Sequence, residues 1–158
     1  MLVSVLDVAK YILSHLNPGQ SITTFKLQKL CYYSQAWSLV WDDEPLFEEE
    51  ILAWANGPVI RELYEEHKGD FVISGLRVGN KSRLTKKQKA TVDAVLDAYG
   101  KLSGQQLSQL THQETPWIKA RKGLEPGERG ARVISLGSMV EYYSAVYSEQ
   151  QRKKSKKS

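Results

Sequence analysis

The chain of 158 residues is 41% hydrophobic and 25% charged, and it carries a formal net charge of +4. This length predicts one domain, large enough to bury roughly two thirds of the surface that the unfolded chain exposes. Cys31 is the single cysteine, which excludes an internal disulfide and any metal site built from several cysteines. A reducing, cytoplasmic location fits this composition best.

The positive charge is concentrated near the C-terminus. Five of the 22 basic residues lie in residues 152–158, which leaves 17 Lys and Arg against 18 Asp and Glu in the rest of the chain. A body this close to neutral lacks the basic surface typical of nucleic-acid-binding proteins. Near the N-terminus, Asp7, Lys10 and His15 interrupt the apolar residues, so we predict neither a signal peptide nor a membrane span.

The first predicted helix covers residues 5–16. Its apolar residues recur at helical spacing, Ser4 or Asp7 can cap its start, and Asn17-Pro18-Gly19 ends it.

The second predicted helix, residues 23–41, is the element around which we expect the others to pack. At helical rise it is about 28 Å long, close to the width of a small domain. One face carries an apolar-to-small stripe, formed by Leu27, Leu30, Cys31, Ser34, Trp37, Ser38 and Trp41. Lys26, Lys29 and Gln35 lie off this stripe.

The middle of the chain alternates short elements with turns. We predict an irregular segment or short strand that leads into Ala53-Trp54, and then a turn at Gly57. Pro58 is predicted to begin a helix that ends near Lys68, because proline favours the first helical position. Residues 71–73 are predicted to form a short strand. Residues 132–134 are predicted to pair either with that strand or with the segment near Ile51.

Four helices are predicted in the C-terminal half. Thr85 with Gln88, and Ser103 with Gln106, match the capping-box pattern. Thr115 is predicted to cap a short helix that starts at Pro116. The final helix runs from Ser135 or Ser138 to Tyr147, and residues from Gln150 onward are predicted to be disordered. The predicted fold is therefore mainly α: a single compact domain over residues 1–148, with a small strand pair at most, followed by a basic tail over 149–158.

No motif in the sequence predicts a metal site, a cofactor site or a catalytic site. The three histidines, at positions 15, 67 and 112, are too dispersed to form a local ligand motif. His112-Gln113-Glu114 matches part of the zinc deaminase signature, but the required P-C-x-x-C does not follow. We therefore expect His112 to be a local hydrogen-bonding residue at a helix end, and the protein not to be an enzyme.

Two other features bear on partners. The chain is rich in Trp and Tyr; most of them are expected in the core, and those left at the surface would form an anchor patch for a partner protein. The first two helices suggest a helix-turn-helix, but their connection is longer than the usual three or four residues, and the second helix lacks the polar side chains of a recognition helix.

Four stretches together resemble the Panacea domain family, which comprises SocA-like and GepA-like antitoxins and phage-associated proteins. They are VAKYIL from Val8, ITTFKLQKLCYYSQAW from Ile22, PLFEEEILAWANGPVIRELY from Pro45 and LSQLTHQETPW from Leu107. Their order and spacing make the resemblance specific over the body of the chain.

The resemblance implies an antitoxin that neutralises a toxin by direct protein–protein contact, in some members by delivering the toxin to a cytoplasmic AAA+ protease. It implies no metal, cofactor or catalytic residue. The family's characteristic positions are occupied here by Lys29, Tyr32, Gly57, Pro58, Tyr64, Thr111, His112, Pro116 and Trp117. From these positions and the aromatic residues we take as candidate partner-binding residues Lys29, Tyr32, Trp54, Gly57, Pro58, Tyr64, His112 and Trp117.

Two further hypotheses remain open at this point. One is a DNA-binding regulator of its own operon that uses the basic tail, and the other is a hydrolase that uses His112. A pocket with converging ionisable groups would speak for an enzyme and against a pure binding module.

Overall fold

A computed structural model describes residues 3–157 of the chain. Met1, Leu2 and Ser158, which belong to the predicted domain and tail, lie outside the described residues. The α-helices are α1 (Val5–Leu13), α2 (Thr24–Trp41), α3 (Arg61–His67), α4 (Lys86–Tyr99), α5 (Gly104–His112), α6 (Thr115–Ala120) and α7 (Leu136–Lys157). The strands are β1 (Ile22–Thr23), β2 (Ile51–Trp54), β3 (Gly57–Ile60) and β4 (Val72–Ile73), and a 3-10 turn covers Lys81–Arg83. The predicted mainly α fold is confirmed, with two small antiparallel strand pairs in the described part of the chain.

Helix α2 is the centre of the fold, as the sequence predicts, with Thr23 as its N-cap. It packs against α4, α5, α7 and β3. Because neighbours lie on all of its sides, 14 of its 18 residues are buried. The buried surface therefore extends beyond the stripe, since Lys29 and Gln35, which lie off it, are also in the interior.

Most polar side chains that this packing buries on α2 find backbone partners. Gln35 accepts a hydrogen bond from the Leu46 amide at 2.7 Å and donates to the Phe47 carbonyl at 2.8 Å. Gln28 forms the same kind of two-way bond with the backbone of Ile60. Glutamine can replace a strand neighbour in this way because its amide carries both a donor and an acceptor. These bonds fix the residues that follow α2 against its sides.

The predicted helix start at Pro58 is wrong. Pro58 lies within β3, which pairs with β2 as a tight hairpin, and α3 begins only at Arg61. β3 is an edge strand, where the missing N–H of proline leaves no bond unmade. On the other side of β2, the Ile134 amide donates to the Ile51 carbonyl at 2.8 Å, so of the two predicted pairings of residues 132–134 the one near Ile51 is confirmed.

The predicted strand at residues 71–73 forms, but its partner is a segment that we did not predict as a strand. Val72 and Ile73 pair with Thr23 and Ile22 of β1. This pairing ties the loop after α3 to the start of α2, and the Thr24 amide also donates to the Phe71 carbonyl.

The helix boundaries mostly follow the capping residues. Ser4 caps α1, with Asp7 completing a capping box, and the two predicted boxes at Thr85 and Ser103 are confirmed. Helix α1 ends at Leu13 instead of residue 16, because the following residues form tighter turns, such as the bond from the His15 amide to the Ile12 carbonyl.

Helix α7 continues to Lys157, where the sequence predicts a disordered tail from Gln150. The segment consists of Gln, Arg, Lys and Ser, which are exposed at residues 150–156, and most of these residue types favour helix once a preceding helix supplies the first turns. Arg152 also pairs with Glu149, one turn earlier. The division into a domain over 1–148 and a tail over 149–158 stays a prediction.

Candidate functional site

A cavity of about 850 Å³ opens beside the N-terminal turns of α2. We call it the Lys29 cavity. Its walls come from α2, the β2–β3 hairpin, α3 and the segment 129–131. It is lined by Thr24, Phe25, Gln28, Lys29, Trp54, Ala55, Asn56, Val59, Arg61, Tyr64, His67, Arg129, Gly130 and Ala131. This volume lies within the range of small-molecule sites in proteins. The lining includes three cationic residues and neither Asp nor Glu.

Lys29 is the most unusual residue of the cavity wall. Its side chain is fully buried, and its Nζ is one of two buried side-chain nitrogens without a hydrogen-bond partner among the described residues. The ammonium lies over the ring of Phe25, whose centroid is 3.9 Å from Nζ. Burial away from water lowers the pKa of Lys29 to about 7, because desolvation penalises the charged form.

The first residue of β3, Gly57, leaves room for the Lys29 side chain. Gly57 has a φ of +124°, and a Cβ at this position would lie 2.6 Å from Lys29 Cε. Only glycine therefore provides both the backbone conformation and the space. The Thr111 hydroxyl lies beside the position that this Cβ would occupy, and it donates its proton to the Ser108 carbonyl at 2.7 Å.

Three rings of the cavity wall are in contact with one another. The rings of Trp54 and Tyr64 meet edge-to-face with centroids 5.0 Å apart, and Tyr64 meets His67 in the same way at 5.6 Å. Gln28 Nε2 lies 3.0 Å from His67 Nε2 and must donate to it, because Gln28 Oε1 is already occupied by the Ile60 amide. His67 is thus held as a neutral acceptor, and burial lowers its pKa in agreement with this.

His112 and Trp117 stand behind the hairpin. Their rings stack with centroids 4.0 Å apart, and Trp117 Nε1 donates to the Trp54 carbonyl at 2.9 Å. His112 Nε2 is the second buried nitrogen without a partner. Burial, and then the charges of Lys29 and Arg121, lower the pKa of His112. This pair, which α5 and α6 hold in position, therefore supports the hairpin that forms part of the cavity wall.

Tyr32 lies in a separate buried cluster. Tyr33 and Tyr143 both donate to Glu114 Oε1, at 2.7 and 2.8 Å. Because the Tyr143 proton is committed to Glu114, Tyr32 donates to Tyr143 at 3.0 Å. Burial raises the pKa of Glu114, while the two tyrosine bonds act in the opposite direction. The cluster joins α2 to α6 and α7 and has a clear structural role.

The eight candidate residues thus fall into three groups. Lys29, Trp54 and Tyr64 line the Lys29 cavity; Gly57, Pro58, His112 and Trp117 form or support its walls; Tyr32 lies apart in the core. Their role in binding a partner stays a prediction.

Sequence reasoning missed several residues of the cavity. Phe25 and Gln28 come from α2, Arg61 and His67 from α3, and Arg129 from the segment 129–131, and their spacing carries no motif. The polar residue Gln28, next to Leu27 of the apolar stripe, was the one available signal, because a buried amide needs partners.

The described part of the chain offers no support for a metal site, a membrane span or a reactive cysteine. No group of three or more His, Cys, Asp or Glu residues could hold a metal ion there. None of the helices described between residues 3 and 157 has the length and apolar character needed to cross a membrane. Cys31 is fully buried, and burial raises the pKa of its thiol well above the ordinary value, so it lacks the thiolate character of a reactive cysteine.

Comparison with known protein families gives a match to the family model described as antitoxin SocA-like, Panacea domain, over residues 27–118. This region is more than half of the chain, and it includes Lys29, Trp54 and Tyr64 of the cavity. No curated protein and no solved structure matches the chain.

Proposed function

The chain belongs to the family of SocA-like antitoxins with the Panacea domain, and we propose that it is the antitoxin of a toxin–antitoxin pair that neutralises its toxin by direct protein–protein binding. The family match over residues 27–118 carries this proposal. We place the protein in the cytoplasm and assign it no catalytic step.

The face around the Lys29 cavity is the surface that we propose for the toxin. Trp54 and Tyr64 are partly exposed at its mouth, and Arg61 and Arg129 are exposed beside them. A concave surface with aromatic anchors and a polar, charged rim is the usual anatomy of a protein interface. A stable complex would bury on the order of 1,600 Å² in total, so the cavity would be the centre of a wider contact.

The test is co-expression with the product of the adjacent open reading frame. Rescue of growth and co-purification of the two proteins are expected. Trp54→Ala should weaken the complex by about 30-fold or more, as truncation of an interface hot spot does. Absence of both rescue and co-purification would contradict the proposal.

Trp41→Ala is the matched control. Trp41 is 39% exposed, but it stacks on Trp37 at the far end of α2. We expect this variant to keep its affinity for the toxin. If Trp41→Ala disrupted the complex and Trp54→Ala did not, the toxin would bind elsewhere on the molecule.

The competing DNA-binding hypothesis finds little support in the structure. Helix α2, the only candidate for a recognition helix in a helix-turn-helix reading, is buried on all sides and cannot enter a groove. A gel shift with promoter DNA that persists at physiological salt and disappears on removal of residues 152–158 would revive the hypothesis.

The hydrolase hypothesis named His112, which stacks on Trp117 and is not among the residues that line the cavity. A different enzymatic hypothesis rests on Lys29, since the cavity does bring ionisable groups together. A lysine with a pKa of about 7 can act as a base or nucleophile near neutral pH. We favour binding because Lys29 Nζ has no hydrogen-bonded partner to orient it. Full neutralisation of the toxin by Lys29→Met would support this choice, and loss of neutralisation with unchanged complex formation would support catalysis.

Two routes of neutralisation are distinguishable. We propose occlusion of the toxin's functional surface. The alternative is delivery of the toxin to an AAA+ protease. A chase of toxin levels after translation is stopped separates them: occlusion leaves the toxin's half-life unchanged or longer, whereas delivery shortens it.

A further inference from the structure

The residues that line the Lys29 cavity include positively charged side chains and no negatively charged one to pair with them. The Lys29 ammonium is fully buried and lacks a hydrogen-bond partner, and no carboxylate lines the cavity. Burial of an unpaired charged or polar group is strongly unfavourable. Yet the fold makes room for this one with a glycine at positive φ, where a Cβ would strike Lys29 Cε.

The remaining walls are suited to an apolar body. Trp54, Tyr64, Phe25 and Val59 all line the space, and the Trp54 and Tyr64 rings are held edge-to-face. An interior that is mostly apolar with one convergent charged group is the usual composition of a small-molecule site. At the mouth, exposed Arg61 and Arg129 add positive charge that would attract an anion.

We propose that the Lys29 cavity is a binding site for a small organic acid, whose carboxylate pairs with the Lys29 ammonium while its apolar body lies against Trp54 and Tyr64. A single buried ammonium matches a single carboxylate in charge. Charge-assisted hydrogen bonds of this kind are among the strongest in proteins.

This inference goes beyond the proposed function, because it concerns a free small molecule and needs no toxin for its test. It also has a consequence for the toxin. If the toxin binds the same face, occupancy of the cavity changes the affinity for the toxin, and the toxin changes the affinity for the acid by the same factor.

The test uses the full chain with naphthalene-2-carboxylate as the probe and naphthalene-2-carboxamide as its neutral match. Binding is followed through the indole N–H resonance of Trp54, assigned by its loss in Trp54→Phe. The wild type should bind the carboxylate about 10-fold or more tightly than the amide, as expected for a charge-assisted bond.

Lys29→Met is the decisive variant, because methionine keeps the length and apolar stem of lysine and removes the amine. It should bind the carboxylate no better than the amide while it still binds the amide. Lys101→Met, at an exposed site, is the matched control and should keep the wild-type preference. Thermal unfolding of each variant verifies that it is folded.

The pH dependence gives an independent readout. The titratable or charged groups that face Lys29 are His67 and Tyr64 from α3, His112 from α5, and Arg61 and Arg129 at the mouth; none is acidic. Affinity for the carboxylate should therefore fall as the pH rises through about 7, where Lys29 loses its proton, and the Lys29→Met variant should show no such fall.

Three outcomes would overturn the proposal. They are equal binding of carboxylate and amide to the wild type, an unchanged preference in Lys29→Met, and no binding of either probe at millimolar concentration. If no probe binds but Lys29→Met abolishes the toxin complex, the partner of Lys29 is an acidic group of the toxin and the small-molecule proposal is wrong. Absence of a toxin complex in the growth assay leaves these measurements unaffected.

Discussion

Lys29 is the residue whose environment differs most from the one that its charge favours. A charged side chain on a helix would ordinarily reach water, but α2 has neighbours on every side. Burial lowers the pKa of Lys29 from its ordinary value of 10.5 to about 7, which reflects the cost of placing its charge away from water. The folded protein therefore carries a destabilising group within its proposed binding surface, as functional sites often do.

We predict that Lys29→Met stabilises the fold at pH 6.5 and that this advantage shrinks as the pH rises. Between the folded pKa of about 7 and the unfolded value of 10.5, the unfolded chain holds a proton that the folded chain has lost. Wild-type stability should consequently rise with pH in this window, with a slope that approaches about 1.4 kcal/mol per pH unit. Denaturant unfolding of both proteins from about pH 6.5 to about pH 9 measures this. A variant less stable than wild type at pH 6.5 would show that Lys29 has a stabilising partner.

Gly57 is predicted to be intolerant of a side chain. Gly57→Ala combines an unfavourable φ of +124° with a 2.6 Å approach to Lys29 Cε. We expect a loss of about 1–3 kcal/mol in unfolding free energy and a weakened probe preference, because Lys29 must move. Gly75→Ala is the control, since a Cβ there meets nothing within 4 Å, and it should stay close to wild-type stability. Equal effects of the two substitutions would contradict this account of Gly57.

At the scale of elements, the buried tyrosine cluster decides how α7 docks on α2. Tyr143 is 1% exposed and reaches both Tyr32 and the carboxylate of Glu114. Its hydroxyl links α7 to both of these residues, so α7 depends on a polar contact as well as on apolar packing.

We predict that Tyr143→Phe lowers the unfolding free energy by about 1–3 kcal/mol, because it leaves the buried Glu114 with one donor fewer and removes the acceptor of Tyr32. Tyr142→Phe, at the neighbouring and partly exposed position, should change stability by less than about 0.5 kcal/mol. Thermal and denaturant unfolding compare the two. A neutral Tyr143→Phe would mean that Glu114 finds another donor.

At the scale of the whole molecule, the net positive charge comes from a segment that we expect the fold not to require. Residues 152–158 carry five basic residues and no acidic ones, so removing them takes the formal net charge from +4 to −1. We predict that this truncation leaves the unfolding free energy within about 0.5 kcal/mol of wild type, because residues 152–156, the part of this segment whose side chains the structure describes, are exposed. It should also abolish weak, salt-sensitive adsorption to nucleic acid. A large loss of stability would show that the end of α7 supports the core.

The sequence by itself determined the elements whose signals are local. The capping boxes at Thr85 and Ser103, the extent of α2 and the mainly α class follow from side-chain spacing and from hydrogen bonds within three residues, and the family resemblance follows from motif order. Three features needed the tertiary structure: the strand at Pro58, the pairing of β1 with β4, and the burial of Lys29. Each depends on which distant segment lies alongside, and a local pattern carries no information about that. The Lys29 cavity belongs to this second class, because its walls come from four segments that meet only when the chain packs around α2.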